Sequence, residues 1–184
     1  MMTLEMWNTV FAGATFLVIA ATAVAALIQL RHLRASNQIS ALVTILQDWQ
    51  KPEMQGWLKF VHEELPVRLQ DPAYLQSITA GPLDRKVHVW SHIGDYYEQL
   101  GSFIKYGLVD RQSYLDVSSY TVSGLYELLR PCIERMRAVR NNHALFENFE
   151  YLAVLGLQFS RAHPRGVYPP GLPRFNDLEP IRGD

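Results

Sequence analysis

The chain has 184 residues, with 17 Lys and Arg against 18 Asp and Glu and one cysteine. A net charge of -1 and a pI near 6.6 provide no basic field for counterion-driven binding, so no nucleic-acid partner is expected. Cys132 alone allows neither an intramolecular disulfide nor a thiolate zinc site within one chain, which suits a reducing cytoplasm.

The first element is the most informative. Residues 7–30, WNTVFAGATFLVIAATAVAALIQL, are twenty-four residues without a charge, and Arg31 and Arg34 follow directly. As a helix the run reaches about 36 Å, more than the roughly 30 Å of a bilayer's hydrocarbon. Val10, Phe11, Phe16, Leu17, Val18, Ile19, Val24, Leu27, Ile28 and Leu30 each favour insertion by about 0.3 to 0.6 kcal/mol, roughly 3 to 6 kcal/mol together near the bilayer centre. The rival reading is a cleaved secretory signal, because ATA at 21–23 and AVA at 23–25 resemble small-residue cleavage sites. Against it, the residues before Trp7 carry Glu5 and no Lys or Arg, whereas a signal peptide starts positive. The segment is therefore expected to stay as a single transmembrane helix. The two arginines place residues 1–6 outside and the rest of the chain in the cytoplasm. Thr9/Gly13, Ala21/Ala25 and Thr22/Ala26 have the four-residue spacing that lets two spans approach.

A cytoplasmic helical domain is expected over residues 31–162. Ile39, Leu42, Leu46 and Trp49 repeat at helical spacing without Gly or Pro, which predicts one rod over residues 5–50 with an apolar stripe. Pro52 opens a helix through Leu65, with Pro66 just past its close. A loop with Pro72 and the AGP at 80–82 leads to a helix over 83–107 that Gly107 caps. Asp110 caps the next, residues 111–124. A helix with Pro131 as kink or restart follows, and a last one covers 143–162. Only residues 114–120 leave room for a strand, so the class is all-α, a transmembrane helix continuing into a helical bundle. From His163 the composition shifts: Pro164, Pro169, Pro170, Pro173 and Pro180 fall in an irregular tail, residues 163–184.

The N-terminal span with its arginines, YYEQLGSFIKYGLVD at 96–110, LLRPCIERMR at 128–137 and FENFEYLA at 146–153 together carry a resemblance. The chain resembles a family of bacterial single-span membrane proteins with a cytoplasmic helical domain of unknown function. The resemblance implies the bacterial inner membrane and brings no catalytic residues. In its pattern Gly101 serves close packing, Gly107 caps, and Arg137 with Glu147 or Glu150 forms a charge pair between two helices.

Two groups of polar residues are site candidates. Arg130, Arg137 and Arg140 lie near one helix face, and Glu147 and Glu150 lie one turn apart on the next helix. Guanidinium–carboxylate forks would fix helix register; the alternative is an anion site for phosphate, a nucleotide or a lipid headgroup. On an unbroken helix Asp84, His88, His92 and Asp95 would share one face, and His88 and His92 could hold a metal with Asp95 as an oxygen ligand. No Glu-x-x-His, no His-Glu-x-x-His, no phosphate loop and no nucleophile elbow occurs, so no catalytic residue and no cofactor is expected. Three functions remain open: a protein-interaction or regulatory module at the membrane, with a protein partner or a second copy; a sensor of an anionic ligand through Arg130, Arg137 and Arg140; and a metal-dependent enzyme centred on His88 and His92.

Overall fold

The computed structural model describes residues 3–177. Residues 1–2 of the expected N-terminal segment, and residues 178–184 of the expected tail with Pro180, lie outside the described residues. Seven α-helices and no strand occur among those described: α1 Leu4–Trp49, α2 Pro52–Lys59, α3 Leu65–Arg68, α4 Pro72–Ser77, α5 Trp90–Lys105, α6 Arg111–Arg140 and α7 Glu147–Ala162.

Two different surroundings meet on α1. One 18-residue window of it is long and apolar enough to cross a membrane, and none of that window is buried. Its hydroxyls are satisfied within the helix, Thr15 donating to the Phe11 carbonyl and Thr22 to the Val18 carbonyl, each at 2.8 Å. In hydrocarbon this pairing would remove the cost of an unpaired polar group. The last three turns instead belong to the domain. Ile45 is buried in the core, and Ala41, Leu42 and Trp49 pack against it. The expected stripe is thus split. Leu42 and Trp49 face the core, while Ile39, Val43 and Leu46 face outward.

Helix α5 runs back along α1. The Tyr96 hydroxyl donates to the Ile45 carbonyl at 3.3 Å, and eleven residues later the Gly107 carbonyl accepts from Gln38 Nε2 at 3.1 Å. Gly107 sits at φ +69°, the left-handed conformation that ends a helix and that glycine adopts without strain. The Asp110 carboxylate then accepts from the Ser113 N–H at 2.8 Å and starts α6.

Several expected boundaries move, and the last helix starts at Glu147 where residue 143 was expected. The 83–107 helix begins only at Trp90, because Asp84 builds a turn: its carboxylate accepts from the Lys86 N–H at 2.9 Å and its carbonyl from His88. The two helices expected on either side of Gly124 and Pro131 are one, α6. An interior proline costs about 3 kcal/mol, but Pro131 is exposed while Leu129, Cys132, Ile133 and Met136 are buried around it. At about 1.5 to 3 kcal/mol for each large apolar side chain, burial outweighs the proline. Pro66 lies inside α3, not beyond a helix end. Phe60–Glu64 widen to a π-turn in front of it, with the Leu65 N–H bonding the Phe60 carbonyl, which eases the proline ring past the preceding turn. Helix α4, where only a loop was expected, starts on Pro72 with Asp71 accepting from the Ala73 N–H at 2.8 Å.

The core lies where α5, α6 and α7 meet. A Cβ at Gly101 of α5 would collide with the Asn148 backbone of α7, whereas one at Gly124 of α6 would meet nothing within 4 Å. Gly124→Ala is therefore expected to stabilise by about 0.4 to 1 kcal/mol through the unfolded chain. Gly101→Ala should instead destabilise, since overpacking costs about 1 to 3 kcal/mol. Thermal melts of the two variants in detergent check the opposite signs; shifts of the same sign would refute the close crossing.

Candidate functional site

Helix α7 begins without a cap of its own. Phe146, just before it, holds φ +56° and its side chain gives no capping bond. The missing acceptor comes from α5: Glu98 Oε2 accepts the Phe149 N–H at 2.9 Å, and Oε1 accepts from Asn148 Nδ2 at 2.8 Å. A carboxylate at a helix N-terminus also meets the positive end of the helix dipole. Glu98 thus fixes the angle at which α7 crosses α5. The residues it binds lie 50 and 51 positions on in the chain, beyond any local pattern.

Arg137 holds the other side of the same turn. Its Nε donates to the Leu145 carbonyl at 2.8 Å and its Nη1 meets Glu150 Oε2 at 2.7 Å, with the side chain only 12% exposed. Glu147, the other expected partner, instead pairs with Lys105 of α5 at 3.5 Å. Arg130 is held between Glu127 at 3.1 Å and Glu134 at 3.6 Å on its own helix. A groove of about 570 Å³ between α6 and α7 is lined by Arg130 and Arg137, by Glu127, Glu134 and Glu150, and by Tyr126, Val154 and Leu157. Arg140 is exposed and does not line it. Three carboxylates against two guanidiniums leave this groove without a cationic excess.

The histidines part company. His88 is buried against Tyr74 of α4, ring centroids 5.0 Å apart, with Nε2 3.1 Å from Ser77 Oγ. Ser77 commits its own proton to the Tyr74 carbonyl at 2.7 Å, so His88 Nε2 is the donor of that bond. His92 stacks on Trp57 of α2 at 4.4 Å. Asp95 forms an ion pair with Arg85. No group of three or more His, Cys, Asp or Glu side chains among the described residues could hold a metal ion. The reason is the Asp84 turn, which takes Asp84 and His88 off the helix that carries His92 and Asp95. The buried Cys132 thiol is pushed up to about 12 by desolvation, so it carries no thiolate at neutral pH.

Burial also holds His88 below its ordinary value of 6.5, against smaller upward pulls from Ser77 and Asp84. For His92 burial and the Arg85 charge act downward, opposed by Asp95. The unfolded chain then binds protons more readily than the folded one below pH 6.5, so stability is fully present above that pH and is lost as pH falls toward the folded values. Urea midpoints between pH 5 and 7.5 should rise with pH, and His88→Asn should flatten the rise. A midpoint that falls with pH would refute it.

Comparison with known proteins gives a match to a family model. The family model described as a domain of unknown function, DUF4760, covers residues 16–154. The chain belongs to this family. No curated protein and no solved structure matches it. The DUF4760 segment begins at Phe16, inside the apolar run, and ends at Val154 within α7. It therefore includes the second half of the apolar run, Glu98, Arg137 and Glu150, and leaves out the proline-rich tail. A second groove of the DUF4760 domain, about 240 Å³, lies between α1 and α5 and is lined by Ala41, Ile45, Tyr96, Leu100 and Phe103 with Asp48 at its side.

Proposed function

We propose that this DUF4760 chain is a single-pass membrane protein that holds its helical domain at the cytoplasmic face of a bacterial inner membrane as a protein-interaction or regulatory module. The observation that carries the reading is α1 itself, exposed and apolar at one end and built into the domain core at the other. A rigid connection of this kind sets the height and rotation of the domain over the bilayer. Retention of the span is supported by the start of the family match inside the apolar run. Arg31 and Arg34 after the span, with no Lys or Arg before it, favour a cytoplasmic domain. The outward stripe of Ile39, Val43 and Leu46 on α1 is the contact offered to a protein partner, a second copy of the chain included.

Two measurements on native membranes test this. The full-length chain should resist alkaline carbonate extraction with its amino terminus intact, and protease should reach the domain only from the cytoplasmic side. An amino terminus starting after Ala23 or Ala25 would refute the anchor. For the module reading, gentle extraction should bring out a partner or a second copy in fixed ratio, and a lone monomer would refute it.

A further inference from the structure

A cavity of about 360 Å³ lies where the domain returns to α1, between Arg34 and Gln38 of α1, Lys105 at the end of α5, Gly107 in the α5–α6 loop, Arg111 at the start of α6 and Tyr151 of α7. We propose that this cavity seats the phosphate of an anionic phospholipid headgroup, with Arg34, Lys105 and Arg111 as its cationic groups. The inference rests on the membrane-anchored reading above, which fixes where the cavity lies. From Leu30, the last residue of the apolar run, to Arg34 is about 6 Å of helix, and headgroups extend about 5 to 7 Å beyond the hydrocarbon. The Arg34 guanidinium lies against the α5–α6 loop, its Nη2 3.5 Å from where a Cβ on Gly107 would stand. Arg31 lies one turn nearer the membrane on the same face.

A second observation points to the same surface. The loop beside the cavity exposes Tyr106 at 72% and Leu108 at 58%, on either side of the Gly107 that Gln38 holds against α1. A tyrosine at headgroup height is an interfacial anchor, and Leu108 adds apolar surface beside it. Two carboxylates lie near. Asp110 is occupied in capping Ser113, and Glu147 shares Lys105, whose ammonium also meets Asn148. Arg34 and Arg111 form none of the described ion pairs, and with Lys105 they outnumber Asp110 among the lining charges. The α6–α7 groove has the opposite balance.

The test uses the full-length chain in vesicles of phosphatidylcholine alone, and in vesicles of two parts phosphatidylcholine to one part phosphatidylglycerol, read by flotation and by amide hydrogen exchange over residues 103–112. The chain should float with both. Exchange in this stretch should slow only with phosphatidylglycerol, and each charge neutralisation, Arg34→Gln or Arg111→Gln, should raise the phosphatidylglycerol content needed about fivefold. Equal exchange in both vesicles, with flotation intact, would overturn the headgroup site and leave the anchor standing. Failure to float would overturn the anchor and the site with it. The same slowing by inorganic phosphate in detergent would overturn the lipid as the occupant in favour of a free anion.

Discussion

Arginine at both Val18 and Ile19 is expected to release the chain from the membrane. The ten large apolar residues of the run favour insertion by roughly 3 to 6 kcal/mol. Each central arginine costs about 2.5 to 3.5 kcal/mol, so the pair costs about 5 to 7 kcal/mol and removes two favourable residues as well. The sum changes sign. Val18 and Ile19 are 65% and 63% exposed, so the substitutions disturb no packing and the domain should keep its helicity. Arginine at Leu33, beyond the run, is the matched control, since a guanidinium there reaches water by leaning along the helix. Carbonate extraction should move the double variant to the supernatant and leave the control in the pellet. A double variant that stays in the pellet would mean that something other than α1 holds the chain.

What the sequence made legible follows from the range of each signal. The apolar run, the glycine cap at Gly107 and the Asp110 cap are each written within a few residues, and helix class and order could be read from them. The turn at 84–89 was hidden because helical spacing continues through it: Val89 and Ile93 fit a longer helix, and the Asp84 turn together with the contact of His88 with α4 decides otherwise. Pro131 misled in the other direction, since its cost is local while the burial that outweighs it comes from α5 and α7. The candidate sites depended still more on distant partners. Arg137 and Glu150 meet across a turn short enough to be foreseen, but Glu147 goes to Lys105, which only the crossing of α5 and α7 brings near. Glu98 and the cavity at Arg34 draw on segments far apart in the chain, so periodicity along one helix carries no trace of them.

Phe149→Ala should be the most damaging single truncation in the domain. The ring is fully buried where three helices meet: it stacks on Tyr97 of α5 with centroids 5.0 Å apart and receives Tyr126 of α6 edge-on at 5.1 Å. Its backbone N–H is also the one that Glu98 caps. Removing a buried phenyl costs about 3 to 5 kcal/mol through lost transfer energy and the cavity left behind, against a total of about 5 to 15 kcal/mol for a domain. Phe159, nearly three turns on along α7, is only partly buried and rests on His163 near the helix end. Its truncation should cost much less, since water and the chain end can fill the gap. Urea unfolding in detergent, followed by near-ultraviolet circular dichroism, reads the loss of the packed aromatics. If Phe159→Ala proved as costly as Phe149→Ala, the α5–α6–α7 junction would not be the centre of the core. Glu98 and Arg137 would then be holding a peripheral helix, and α7 could move without disturbing the fit of the domain on α1.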